Sequence, residues 1–343
     1  MADFFKQTRF EEKNIRSLCW LGDELVDWVT GGRAFALDGV ERRAAVNYRY
    51  RFDAATASPD GHYAVIYEKL GTKGLLLRDG KILRELDRSF YCADAYEYPV
   101  TLFNDPQGRV LLAHCPKEYC LLELEDAETG QALTASAERK PQDFFHSQLA
   151  ASPNGKRLLS AGWIWHPSDF VEYFDVAQCL ADPNQLDRRS SFRIEVAEEN
   201  SACWLDDDHL VKAASDEVVD DEVEDGVPYL RPRGLAVFDV ANQVCLRAFQ
   251  FEELPGKIIA IGKRHVLSLY RHPKLINLEN GQIAHVWDDL HSGLQVGSIA
   301  WNLKDDAAPP PMVYDSANHR FAIANGDAVT VIEFDLGALG GEF

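Results

Sequence analysis

The chain of 343 residues lacks most of the short signatures that announce chemistry. There is no G-x-S-x-G for acyl transfer, no H-E-x-x-H, no P-loop and no G-x-G-x-x-G, so neither a hydrolytic motif nor a cofactor motif is present. The ten histidines are dispersed, and no two lie two to four residues apart, which excludes a local histidine pair for a metal. The seven cysteines (19, 92, 115, 120, 179, 203, 245) form no C-x-x-C. They read as reduced thiols used as small apolar residues rather than a zinc or disulfide framework. No apolar run approaches the roughly 18–20 residues needed to cross a bilayer. The opening MADFFKQTRFEEKN has no apolar core of a secretory leader. A cytoplasmic protein with no membrane partner is expected. Basic charge is scarce: 35 Lys and Arg stand against 55 Asp and Glu, a formal net charge of −20. Such a surface repels nucleic acid and attracts a basic protein. Helical periodicity is also nearly absent; only DVAQCLADPNQL, from Asp175, reads as a helical turn inserted among strands.

What is present is repetition. CWLGDELV (from Cys19) returns 184 residues later as CWLDDDHLV (from Cys203). Weaker relatives precede short β-type runs: Ser58-Pro59-Asp60-Gly61, Asn104-Asp105-Pro106-Gln107-Gly108, Ser152-Pro153-Asn154-Gly155, IGKR from Ile261, and Asp315-Ser316-Ala317-Asn318. Proline sets φ early in such turns, and glycine or asparagine accepts positive φ late in them. The seven anchors are spaced 37 to 56 residues apart, around the ~40–50 of a four-stranded propeller blade. After each anchor comes a strand, a polar turn and another strand. Hairpin chemistry is plain at Arg78-Asp79-Gly80-Lys81, Glu128-Thr129-Gly130-Gln131 and Glu279-Asn280-Gly281-Gln282.

These units predict an all-β fold, a seven-bladed β-propeller of four-stranded blades over 11–50, 51–88, 89–139, 140–197, 198–252, 253–290 and 291–336. The last unit lacks an outer strand, and residues 4–10 (FFKQTRF) are expected to pair with VTVIEFDL (329–336), closing the ring and covering two sheet edges. Residues 337–343 are expected to be a loose tail. The period and turn motifs resemble the WD40/YVTN-like β-propeller superfamily over nearly the whole chain. The signature departs from WD40 repeats: regular Gly-His and Trp-Asp are missing, and Phe-Asp stands at Phe174-Asp175, Phe238-Asp239 and Phe334-Asp335 where Trp-Asp would be.

A propeller hosts enzymes, lectins and scaffolds alike, so function must be read from loops. Two insertions break the rhythm. One, Gly162–Phe170, carries Trp163 and Trp165, either alternating strand positions or an exposed aromatic anchor of the kind enriched in interface hot spots. The other, Ser215–Asp225, holds seven acids in eleven residues: Asp216, Glu217, Asp220, Asp221, Glu222, Glu224 and Asp225, followed by Tyr229. It reads as a solvated loop or as an acidic docking element; its spacing does not match a calcium loop. Both should connect second to third strands, and should share one face with the interblade links that carry Tyr96, Tyr98 and Phe144. The stretch 302–311 is expected elsewhere, between the first and second strands of the last unit. The expected function is non-catalytic binding of a basic protein, most concretely inhibition of a toxin by an immunity-type protein. A scaffold subunit is an alternative, as is a hydrolase or lactonase with a metal in the central channel, to which Asn104, Asp105 or Asp94 could contribute.

Overall fold

Short alternating runs bounded by turns cannot bury an apolar face alone; stacked as small sheets around an axis, each covers its neighbour. A computed structural model of the chain describes residues 4–43, 50–189, 196–219, 228–300, 303 and 307–340. It contains seven antiparallel sheets, five of four strands and two of three. The inner strands are Cys19–Leu21, Ala54–Ala57, Val100–Asn104, Leu149–Ala151, Ala197–Trp204, Ile258–Ile261 and Met312–Asp315. Sequential inner strands lie side by side, and the apolar clusters fall between adjacent blades, as in the group joining Ile261 and Leu275 of blade six to Phe321 and Ile332 of blade seven. The result is a seven-bladed β-propeller.

The ring closes as the terminal strands suggested. Phe5–Glu11 pairs antiparallel with Ala328–Phe334, in register from Phe5↔Phe334 to Glu11↔Ala328. Asp79 and Gly80 both take positive φ (49° and 74°), the type I′ geometry that suits the twist of a two-residue hairpin. The three-stranded blades are the third and fourth. In blade three only an isolated bridge, Glu125↔Ala132, marks the fourth position. In blade four the chain turns helical after the third strand: Val176–Ala181 is an α-helix and Pro183–Asp187 a 3-10 turn. Asp175 caps the first by accepting from Gln178 N, and Asp182 caps the second with proline following. Val176, Cys179 and Leu186 close the core between blades three and four.

The duplicated phrase proves structural. Cys19 packs toward blade two, among Ala64 and Ile66, and Trp20 toward blade seven, among Ala322 and Val329. Cys203 likewise faces blade six and Trp204 faces blade four. The acid three residues after each tryptophan reaches back to the preceding blade. Asp23 accepts from Arg320 Nη1 (3.0 Å), and Asp207 accepts from Ser152 Oγ (2.7 Å) and Asn154 Nδ2 (2.8 Å).

Two expectations are corrected. The stretch 302–311, of which 303 and 307–311 are described, was expected between the first and second strands of blade seven, but the inner strand of that blade is Met312–Asp315, which follows it. Pro309–Pro311 therefore precede the blade; proline cannot donate to a ladder, and the chain enters the sheet only after them. The tail is not loose as far as Gly340. Leu336 and Leu339 pack on the core of blades six and seven, and Arg264 Nη1 donates to the Gly340 carbonyl at 2.5 Å.

Candidate functional site: the link face

Antiparallel blades sort their connections. Turns between first and second strands, and between third and fourth, emerge on one face. Loops between second and third strands, and the interblade links, emerge on the other. On this link face the link Arg88–Pro99 runs from blade two to blade three. Arg88 organises it from beneath: its Nη2 donates to the carbonyls of Ala93 (2.6 Å) and Tyr96 (3.1 Å), and Nε donates to Gly71 O (2.7 Å). Its guanidinium lies 4.7 Å from the Tyr96 ring and 4.9 Å from that of Tyr98. The link into blade four is tied by a bridge in which Phe145 N donates to Trp163 O (2.8 Å) and Trp163 N to Phe145 O (3.2 Å). Gly162 permits that approach, since a Cβ there would run into the Phe145 carbonyl and the Phe144 ring.

These constraints stack aromatics. Trp163 and Phe145 lie 3.8 Å apart at 9°, and Phe145 and Tyr119 lie 4.1 Å apart at 22°. Tyr91 leans on Tyr119 at 5.2 Å, and Trp165 meets Trp163 edge to face at 5.3 Å. Tyr119 donates to Asp143 Oδ1 (2.8 Å), and burial, with that acceptor, raises its pKa and keeps the hydroxyl protonated. The base of the stack is buried and its edge is not. Phe90 is 86% exposed, Trp165 46% and Tyr91 43%. Phe90 and Tyr91 also border a cleft of about 720 Å³ between the Arg88 link and the Pro116–Tyr119 loop.

The aromatic candidates therefore divide. Trp165 is presented to solvent, whereas Trp163, Tyr96, Tyr98 and Phe144 are buried. As surface residues those four are corrected: Trp163 and Tyr96 lie within the buried platform, Tyr98 packs under Arg88 and against Tyr67, and Phe144 against His146. Trp163 and Trp165 have the same strand parity, but the second strand ends at Ile164, and only Trp163 remains under the link. Phe90 and Tyr91 were missed as exposed aromatics of this face. Their signal was modest: two aromatics beside Ser89 in a link, with no neighbouring apolar run to bury them.

The acidic insertion leaves the neighbouring blade. Asp216 and Glu217 are exposed at the end of His209–Val218, beside exposed Val218 and Val219. Tyr229 is half-buried beneath the Arg231 guanidinium at 4.8 Å. Asp220, Asp221, Glu222, Glu224 and Asp225 lie outside the described residues. Glu198 connects the two insertions: the Ser168 side chain hydrogen-bonds to it, and its pKa is raised by burial and by the charge of Glu217.

The residues considered for a channel site are not gathered. Asp105 is consumed in its own turn, accepting from Gln107 N, Arg109 N and Arg109 Nε, on the opposite face from exposed Asp94. Asn104 ends the inner strand beside that turn. Among the described residues no three of His, Cys, Asp and Glu stand together as a metal ion would require. No described helix is long and apolar enough to cross a membrane. No family model matches the chain, and no curated protein sequence matches it.

Proposed function

We propose that this propeller is a non-catalytic protein-binding module that works inside the cell and captures a basic protein on its link face. The observation that carries the reading is the exposed edge of the aromatic stack, Tyr91 and Trp165 on a buried platform, with the exposed Phe90 next to Tyr91 in the same link. Large aromatics held rigid by packing lose little entropy on binding and commonly dominate interface energy. Asp216 and Glu217 on the adjacent blade, within a chain of net charge −20, supply long-range attraction for a cationic partner. The most concrete form is an inhibitor of the immunity type, which needs tight recognition and no chemistry of its own. The repeat pattern keeps the WD40/YVTN-like superfamily as the proposed relationship.

The test is comparative capture. Wild type and the triple variant F90A/Y91A/W165A are used as bait in native extract at low and high salt. A basic protein retained by wild type, released by salt and reduced at least tenfold on the triple variant supports the reading. Equal capture by both baits sinks it. An immunity role further requires that the captured protein be a toxin silenced at equimolar ratio; a partner that stays active in the complex favours the scaffold reading instead.

A further inference from the structure

The ring encloses a cavity of about 930 Å³, lined by inner strands from blades two to seven and bordered by turn-face residues such as Asn154 and Lys263. Its link-face end is crossed by the chain itself. The link after Trp287 leaves blade six, where Arg271 bridges Gly293, and reaches blade three, where Tyr96 bridges Ile299, before returning to blade seven at Met312. A path between blades so far apart in a seven-membered ring must pass over the axis. It is pinned there from several sides. Asn200 Nδ2 donates to Val296 O (2.8 Å), Gln148 Nε2 to Gly297 O (3.1 Å), Ser298 Oγ to Asp169 Oδ1 (3.0 Å) and Gln295 Nε2 to Glu97 Oε1 (2.6 Å).

Beneath this cover the charge runs against the rest of the molecule. Glu97 faces Lys257 and Lys69; burial opposes its ionisation, but the two ammonium groups and the Gln295 amide overcome it and hold its pKa below the ordinary carboxylate value. Neither Lys69 nor Lys257 has a carboxylate within 4 Å among the described residues. Arg16 and Asp53, which line the adjoining 170 Å³ compartment with both lysines, offset each other. Among the described residues of this compartment, Glu97 thus stands against two lysines, in a chain where acids outnumber bases by 55 to 35. Tyr67 lines both compartments, and burial raises its pKa, so its hydroxyl remains a donor. Ala55, Val100, Leu149 and Ile259 supply apolar walls. Lys257 is exposed and Lys69 half-buried, so two cations set against one carboxylate at the wall of a recess attract an anion that enters it, and the apolar walls suit a carbon skeleton.

We propose that a small organic anion binds where the axial cavity meets the adjoining compartment, its carboxylate or phosphate group held by Lys257 and the Tyr67 hydroxyl, which line both, and by Lys69 of the compartment, with its carbon skeleton against the cavity wall. This site is separate from the link-face surface and does not depend on it. The experiment is calorimetric titration of the full chain with succinate and with inorganic phosphate, at ionic strength held constant with sodium chloride. The expected result is saturable binding of at least one probe; the probe that binds identifies the anionic group. The variant K69Q/K257Q should weaken it at least tenfold, K263Q at the mouth should leave it nearly unchanged, and E97Q should tighten it several-fold by removing the competing charge. Circular dichroism and melting temperature verify that each variant is folded. Absence of saturable binding for both probes, or binding undiminished in the folded double variant, would overturn the proposal.

Discussion

On the turn face, several short connections close on themselves. Asp60 accepts from His62 N, Asp105 from Gln107 N and Arg109 N, Asp206 from Asp208 N and His209 N, and Asp315 from Ala317 N and Asn318 N. Each is a local Asx-type solution that satisfies backbone donors without help from distant chain. On the link face the connections are long and are held by groups remote in sequence. Arg88 reaches carbonyls of its own link, Trp163 bridges Phe145, and Ser298 reaches Asp169 across the ring. The first face is regular and presents polar turns. The second has its order in a buried aromatic platform, against which the exposed rings of Tyr91 and Trp165 rest.

Substitutions can break this contrast. The largest effect is expected from Phe145→Ala, which removes the middle ring of the stack; a loss of about 3–5 kcal/mol in urea unfolding is expected, with Trp163→Ala similar. A loss below about 1 kcal/mol would show that the stack does not found the link face. Next comes Asp169, whose pKa burial raises to about 7 from an ordinary 3.8. A raised acid pKa means that the folded state holds the proton more tightly. Its contribution is therefore fully present below about pH 4 and is lost as pH rises through about 7. Asp169→Asn, which cannot ionise but still accepts from Ser298, should stabilise the fold at pH 8 by an amount on the order of 1–4 kcal/mol. That gain should vanish below pH 4; melting curves across pH decide, and a pH-independent difference would refute it.

Smaller effects sharpen the turn face. Asp207 is buried and satisfies Ser152 and Asn154, so Asp207→Ala should cost about 1–3 kcal/mol. Its counterpart Asp23 has a side chain 91% exposed, and Asp23→Ala should change stability by less than about 0.5 kcal/mol. The same letter in the same repeat would then differ severalfold in worth, as denaturant midpoints would reveal. The smallest stability effect is expected at Trp165→Ala, within about 0.5 kcal/mol of wild type, although the same change should weaken partner binding. A large loss of stability there would move Trp165 from the surface to the platform.

The blades were legible because their signals are local. Asp79-Gly80 needs only its own backbone to make a turn, and Asp175 with Gln178 needs only one helical turn to start the insertion in blade four. Phe5–Glu11 could be matched to Ala328–Phe334 because an unpaired strand and an unfinished blade complete each other. The site was legible only in outline. The links and the two insertions were placed on one face by topology alone, but Tyr96, Tyr98, Phe144 and Trp163 were read as contacts when they are covered. Their burial is set by Arg88 and by the bridge at Trp163, pairings made between separate segments of chain.

Period, turn chemistry and charge in the chain were enough to determine the all-β class, the number of blades and the way the ring closes, since strands and tight turns obey hydrogen bonding between near neighbours. Only the tertiary structure decided which aromatic rings meet water, and that the link after Trp287 spans the axis while Lys69 and Lys257 are set against Glu97 in the compartment beside it. Exposure and field at a point depend on every segment that packs around it, and those segments are joined by the closure of the ring rather than by adjacency in sequence.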